Sequence, residues 1–471
     1  MINKRTKIVA TIGPASENKA VLKKMVRAGM NVARLNFSHG TYQEFKQIIA
    51  NIRAVEKELG IPIAILQDLQ GPKIRVGEMP EKGVILKNGK TVTLTNKNIT
   101  GTEKEIPVQY KKLYSDVGEK DRILINDGMI ELQVIKVQNK DILCKVITGG
   151  AVFSRKGINV PTASISANPV TQKDKKDLIF GLRNNVDFVA MSFVKDNKNI
   201  EQLRDLIRQK HGQAKIIAKV ERHEAVDNLD KIIKEADGVM VARGDMGVEI
   251  SPERVPLIQK KMIHLANIHG KPVITATEML QSMIENPRPT RAEVSDIANA
   301  VIDNTDAIML SNETAVGKFP VEAVKIMAKV AALTEKDLLK HRHFLPNRLF
   351  TGKFPVSYAT CASAAKLASD INAKLIVAIT YSGFTAQHVS KHRIFIPIIA
   401  ITQNKKVQKQ LQLVWGIKRV FIKTFSLSRP ENAVKQLLLK YKLVKKNDKV
   451  VIISNASNNE KTISTLIMDT D

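Results

Sequence analysis

The sequence predicts an α/β chain built on a closed (β/α)8 (TIM) barrel, with an all-β lid domain inserted into it and an α/β domain behind it. Three observations carry this reading. Apolar runs alternate with helix-period segments eight times, near residues 8, 33, 65, 189, 217, 240, 274 and 308. Eight such units in one block favour a closed barrel over an open doubly wound sheet. The alternation breaks at Gly71-Pro72 for a stretch rich in Val, Ile, Thr and Gly, with Asn88-Gly89 and Asp127-Gly128 turns, the marks of short antiparallel strands. It resumes, and a third block follows a proline-bearing linker. The expected division is 1–71 with 168–340 for the barrel, 72–167 for the lid, 341–355 for the linker and 356–471 for the C-terminal α/β domain.

In chain order, a strand over Thr6–Gly13 leads to a helix from about Ser16, a suitable N-cap, to Gly29. Strand Asn31–Ser38, helix Thr41–Leu59 and strand Ile61–Leu69 follow. Within the insert, Thr91–Thr95 and Ile130–Val137 alternate with period two, as half-buried strands do. After it come helix Thr171–Asn184, strand Asp187–Phe193, helix Asn197–His211, strand Ile216–Val220, helix Glu224–Ala236 and strand Gly238–Ala242. Helix Pro252–His269, strand Pro272–Thr277, helix Pro289–Asp303, strand Asp306–Leu310 and helix Pro320–Leu339 complete the barrel. The last block reads as helix Val356–Asp370, strand Leu375–Thr380, helix Ala386–His392, strand Ile396–Thr402, helix Lys405–Leu413 and strands Val420–Ile422 and Lys449–Ser454.

Composition narrows the class. The chain has 471 residues, two cysteines and no apolar run near the roughly 18 residues of a membrane span. A reducing cytoplasm fits, and no membrane association is expected. The net charge of +28 favours anionic partners. Aromatic content of only 4%, with lysines scattered along the chain, argues against a stacking nucleic-acid surface. The charge reads mostly as solvated surface, with minor steering of anionic substrates.

The chain is organised around residues 214–246. Two apolar runs end in charge there, and a strand–helix–strand unit makes its strands parallel, so both charged ends emerge on one side. Alternate residues of a strand share a face, which groups Lys219 with Glu221 and Arg243 with Asp245. The same spacing recurs at Arg34, Asn36 and Ser38, at Asp68, at Thr275 and Thr277, and at Ser311 and Glu313. A capped strand end explains any one of these. Their convergence on one rim has a desolvation cost that structure alone does not repay. Glu221 and Asp245 suit Mg2+ or Mn2+, Arg34 and Lys219 a phosphoryl group, and the turn at Gly244 a substrate carboxylate. With no evident nucleophile, no Walker loop and no G-x-G-x-x-G, the chemistry reads as phosphoryl transfer by positioning and charge. His223-Glu224 lacks the second histidine of a zinc helix and reads as surface.

ATIGPAS (10–16), MNVARLNFSHG (30–40), DLQGPKIR (68–75), KVE (219–221), MVARGDMGVEI (240–250), NPRPTRAEVSDIANAV (286–301) and MLSNETA (309–315) closely resemble the pyruvate kinase family. The resemblance covers the whole chain. It implies a catalytic barrel, a lid closing over the nucleotide, a C-terminal regulatory domain and a homotetramer. It implies transfer of phosphate from phosphoenolpyruvate to ADP, giving ATP and pyruvate. By motif it makes Glu221 and Asp245 the Mg2+ ligands, and Arg34 and Lys219 the phosphate contacts. Gly244, Asp245 and Thr277 fall at the substrate carboxylate, and Thr277, Ser311 and Glu313 at the proton relay. Arg75, His39 and Lys156 fall at the nucleotide phosphates.

Three departures stand out. Residues matching Asn36, Ser38, Asp68 and the Leu69 carbonyl hold K+ in many members, which carry glutamate where this chain has Lys73. Gln70, Lys73 and Val76 instead resemble the K+-independent branch, so the Lys73 ammonium is expected to replace the ion and K+ not to be required. Glu278 stands where glutamine is usual. The loop Thr380-Tyr381-Ser382-Gly383-Phe384-Thr385 resembles the family's phosphorylated-effector loop, yet Tyr381 and Phe384 replace charged residues and 454–461 lacks the expected glycines. A helix cap without a ligand is the equal alternative. The rival readings are another metal-dependent barrel enzyme of phosphoenolpyruvate or pyruvate chemistry, which needs no nucleotide lid, and a basic nucleic-acid or membrane-surface binder, which leaves the rim carboxylates unexplained.

Overall fold

Strands β1 (Lys7–Thr11), β2 (Val32–Asn36), β3 (Ala64–Asp68), β4 (Phe188–Met191), β5 (Lys215–Val220), β6 (Gly238–Ala242), β7 (Val273–Ala276) and β8 (Ala307–Leu310) close into a parallel barrel. Their order around it is β1-β8-β7-β6-β5-β4-β3-β2. The computed structural model describes residues 2–341, 355–424, 431–455 and 463–469, so nearly all of the expected linker, and residues 456–461 of the late loop, lie outside the described residues.

Period two explains why these short apolar runs are strands buried on both faces. Val9, Val32, Ala64, Leu66, Phe188, Ala190, Ile217, Met240, Ile274 and Met309 fill the interior. Their neighbours in sequence, such as Ile8, Ala33, Ile65, Val189, Ile216 and Ile308, pack outward on the helices. Leu413 of the C-terminal domain joins the interior cluster. It enters from the N-terminal ends of the strands, where Gly416 N donates to Arg5 O. With the interior filled and that end closed, the polar strand termini have only the opposite mouth to occupy.

Several local expectations are corrected. The first helix runs Lys19–Ala28 and is capped by Asn18, whose side chain accepts from Ala20 N. Ser16 instead braces the preceding turn, its Oγ accepting from Gly13 N. The expected helix Glu224–Ala236 is two helices, His223–Asp227 and Leu229–Glu235. Asn228 breaks it by turning its amide to Glu224 O and Lys195 O, the usual competition of Asn with the backbone. After β6 the chain forms a short helix, Arg243–Glu249, so the every-second-residue rule does not apply to Arg243 and Asp245. Helix Tyr42–Leu59 starts as expected, with a complete Thr41–Glu44 capping box.

The insert is a seven-stranded sheet with a two-stranded partner around its own apolar core. Its outgoing and returning connections run side by side, Ile74–Arg75 pairing with Gly157–Asn159. Helix Val356–Asp370 has the expected bounds. A five-stranded sheet follows, with Ile463–Asp469 added antiparallel at one edge. That strand and helix Glu431–Lys440 were not expected. The strand is an edge with Ile467 exposed, so it lacks the continuous apolar run of its parallel neighbours. Among the described residues no helix is long and apolar enough to cross a membrane.

Candidate active site

Four strand ends share one chain of charge contacts at the barrel mouth. Lys219 Nζ, at the end of β5, lies 2.8 Å from Glu221 Oε1 and 3.4 Å from Asp68 Oδ1. Asp68, ending β3, pairs through Oδ2 with Arg34 Nη2 of β2 at 2.7 Å. Arg34 Nη1 donates to Thr11 Oγ1 of β1 at 2.9 Å. The expected face-sharing of Lys219 with Glu221 is therefore present, and Arg34 and Asp68 join it.

The electrostatics are set by burial. Burial opposes the Lys219 charge, but Asp68, Glu221 and Asp245 outweigh it and hold its pKa above the ordinary lysine value. Asp68, also penalised by burial, is held below the ordinary carboxylate range by Lys219 and Arg34. Glu221 goes the other way. Burial pushes its carboxyl up to about 7, Lys219 pulls against this, and Asp245 adds like-charge repulsion. Glu221 Oε2 accepts from Phe193 N at 2.8 Å, whereas Oε1 is buried and receives no well-aligned hydrogen bond despite the nearby ammonium. Burial and the like charge of Asp245 thus outweigh the adjacent ammonium at this carboxyl.

Asp245 sits in the first turn of helix Arg243–Glu249 and faces Lys73 Nζ at 3.7 Å. Gly244 N donates to Thr277 Oγ1 at 2.9 Å, bringing together the amide and hydroxyl expected at the substrate carboxylate. Thr277 lies beyond β7 with φ 70°, a left-handed conformation that is strained for a β-branched residue. Glu313 is fully buried and accepts from Ser311 N at 2.7 Å and Leu280 N at 3.0 Å, so its carboxylate fastens two loops. Two rim assignments fail. Arg243 turns away to Asp296 at 2.7 Å and to Ala276 O, because it begins a helix. Thr275 is buried in the barrel wall against Thr305 Oγ1 at 3.0 Å.

The other expected residues lie as follows. Arg75 and Lys156 are on the two connections to the lid; Arg75 Nη1 donates to Arg155 O and Lys156 O accepts from Val76 N. His39 is exposed on the loop after β2. Asn36 and Asp68 are register partners of β2 and β3. Asn36 Oδ1 accepts from Ser38 N, and Leu69 O accepts from Ser192 Oγ. In the C-terminal loop, Thr380 and Thr385 are buried. Thr380 Oγ1 accepts from Gly383 N and Ser382 Oγ from Phe384 N, while the Phe384 ring stacks on His388 at 3.7 Å. His223 is half-buried, 3.8 Å from Glu249 Oε2, and not plain surface.

Ser192 was missed. It follows β4 and accepts from Lys219 Nζ at 2.8 Å while reaching Leu69 O at 2.8 Å. Its signal was available: a polar residue just after the apolar run ending in Met191, the pattern found on the neighbouring strands.

Residues 3–324 match the family profile described as pyruvate kinase, barrel domain, and residues 358–467 that described as pyruvate kinase, alpha/beta domain. Relatives include pyruvate kinase 2 of Synechocystis sp., 47% identical over 423 residues, 89% of this chain and 71% of that protein. The pyruvate kinase of Geobacillus stearothermophilus is 46% identical over 419 residues, 88% of this chain and 71% of the other. The crystal structure of a pyruvate kinase from Cryptosporidium parvum matches with a TM-score of 0.90 at 36% identity, covering 98% of this chain and 96% of that one.

Proposed function

The chain belongs to the pyruvate kinase family, phosphotransferases that move the phosphoryl group of phosphoenolpyruvate to ADP, and from that premise we propose how its own residues divide the work. The observation that carries the assignment is the Arg34–Asp68–Lys219–Glu221 chain at the barrel mouth, with Asp245 coupled to it electrostatically. Arg34 and Lys219 take the transferring phosphoryl group. Lys219, held charged by three carboxylates, acts as a fixed positive charge and not as a proton donor.

Glu221 and Asp245 are the proposed ligands of Mg2+ or Mn2+. Their fit to a dication is supported by Glu221, whose carboxyl is raised by burial and by the like charge of Asp245 despite the Lys219 ammonium at 2.8 Å. When bound, the ion supplies charge neutralisation and polarises phosphoryl oxygens. Gly244 N and Thr277 Oγ1 orient the substrate carboxylate. Protonation of the enolate runs on the Thr277 and Ser311 side, with Glu313 bracing the Ser311 loop through its amide. Arg75, His39 and Lys156 address the nucleotide phosphates.

The Lys73 ammonium takes the place of K+ beside Asn36, Ser38, Asp68 and Leu69. What supports this is the engagement of both Asp68 oxygens with Arg34 and Lys219; the Lys73 ammonium itself reaches Asp245. A homotetramer and a cytoplasmic location are proposed from the family alone. A phosphorylated effector at Thr380, Ser382, Gly383 and Thr385 has only positional support, a loop between strand and helix whose amides are partly capped already. One experiment tests the core reading: pyruvate formation from phosphoenolpyruvate, with and without ADP and Mg2+. Turnover that needs both supports it, and pyruvate release without ADP refutes it.

A further inference from the structure

Both connections between barrel and lid grip the same short helix. From the outgoing connection, Lys73 Nζ lies 3.7 Å from Asp245 Oδ1. From the returning strand, Asn159 Nδ2 donates to Glu249 Oε1 at 2.8 Å. Asp245 and Glu249 stand four residues apart in helix Arg243–Glu249, so they share a face one turn apart. Both members of the second contact are buried, Asn159 to 9% exposure and Glu249 to 4%. A third touch comes from the lid turn at Gly128, which sits over Val248, a Cβ there meeting Val248 Cγ1 at 3.9 Å.

We propose that Glu249 is a positioning residue that couples lid closure to the placement of Gly244 and Asp245. The inference rests on the functional reading above. The strand that ends in Asn159 follows directly on Lys156, the lid residue assigned to the nucleotide. Movement of that strand as the nucleotide is engaged is passed through the Asn159–Glu249 hydrogen bond to a helix of two turns. The helix is too short to bend independently at its two ends, so its first turn, carrying Gly244 and Asp245, moves with its last.

The state of Glu249 agrees with a contact that is remade during closure. Its second oxygen, Oε2, is buried without a well-aligned hydrogen bond and faces His223 Nδ1 at 3.8 Å, an imidazole nitrogen that it shares with Glu224 Oε2 at 3.4 Å. A carboxylate kept only to hold static packing would be expected to have both oxygens satisfied, as Glu313 does. Sub-ångström changes in the placement of reacting groups are enough to alter turnover strongly, which gives the latch its leverage.

The test compares Asn159→Ala, Glu249→Ala, Glu249→Gln and the double variant Asn159→Ala with Glu249→Ala. Steady-state kcat, KM for each substrate and thermal midpoint are measured on each. Each alanine variant is expected to lose about tenfold in kcat, with the KM for phosphoenolpyruvate changed far less. The double variant should be no slower than the slower single one, since one contact is lost in all three. Glu249→Gln keeps an acceptor for Asn159 and should retain most of the turnover. Losses that multiply in the double variant, or a Glu249→Gln as slow as Glu249→Ala, overturn the proposal. Should Glu249→Ala fail to fold, Asn159→Ala decides: wild-type kcat in that variant overturns the latch, and a tenfold loss with its thermal midpoint kept supports it. A wild-type chain without ADP-dependent turnover would instead remove the functional reading on which the latch depends.

Discussion

Lys73 Nζ lies 3.7 Å from Asp245 Oδ1, while the Asp68 carboxylate is already shared between Arg34 and Lys219. On the proposed reading, the Lys73 ammonium supplies the positive charge that a free monovalent ion would otherwise bring to this site. Full turnover is expected in tetramethylammonium buffer without K+. Lys73→Glu should lose turnover in that buffer and regain it when K+ is added. Strict K+ dependence of the unmodified chain would show that Lys73 does not substitute for the ion.

Lys219 is the cation on which the pocket converges, with contacts to Glu221, Asp68 and Ser192. Lys219→Met keeps the length of the side chain and removes the charge. Loss of one such preorganised donor costs on the order of 3 kcal/mol or more in the barrier, so turnover should fall at least about a hundredfold. The measurement is kcat with substrate saturating. A fall of less than about tenfold would mean that Lys219 serves the buried ion pairs and not the transition state.

Thr277 combines a left-handed φ of 70° with a hydroxyl that accepts from Gly244 N. Glycine at this position relieves the backbone but loses the hydroxyl, whereas alanine loses the hydroxyl and keeps the strain. Thr277→Gly should be more stable than Thr277→Ala, by about 1 kcal/mol, and both should be impaired in turnover. Denaturant midpoints and kcat together check this. Equal stability of the two variants would remove the strain, and normal turnover in both would remove the hydroxyl's role.

Hydrophobic period made the barrel legible because each strand is a run buried on both faces, and helix Val356–Asp370 was bounded by a proline and a polar turn. Lys219 and Glu221 were placed correctly because β5 stays extended up to them. Arg243 and Asp245 were paired on the wrong ground, since the chain turns helical at Arg243 and spacing by two loses its meaning there. Asp245 still faces the pocket, from the first turn of that helix. The φ of Thr277 and the role of Glu313 in fastening two loops depend on tertiary contacts, and no pattern of residue types along the chain encodes them. The Asn159–Glu249 contact spans 90 residues and follows from the way the insert folds back, which composition does not reveal.

His388 is buried in the C-terminal domain against the barrel, its Nε2 so close to Gly270 that a Cβ there would stand 3.0 Å away. Its Nδ1 donates to Phe384 O at 3.0 Å and its ring stacks on Phe384. Burial first, and then the charge of Lys391, lower its pKa from 6.5 to about 3. The folded chain therefore keeps His388 neutral at pH values where the unfolded chain protonates it. The unfolded state binds more protons between about 6.5 and about 3, so this contribution to stability is complete above 6.5 and is lost as pH falls through that window. His388→Phe keeps a ring for the stack and cannot titrate. Its thermal midpoint should fall less steeply than that of the unmodified chain from about pH 6.5 down to about pH 4.5. His392, lowered to about 4 mainly by burial, leaves a residual slope in both proteins. Parallel curves for the two would show that protonation of His388 does not contribute to acid lability.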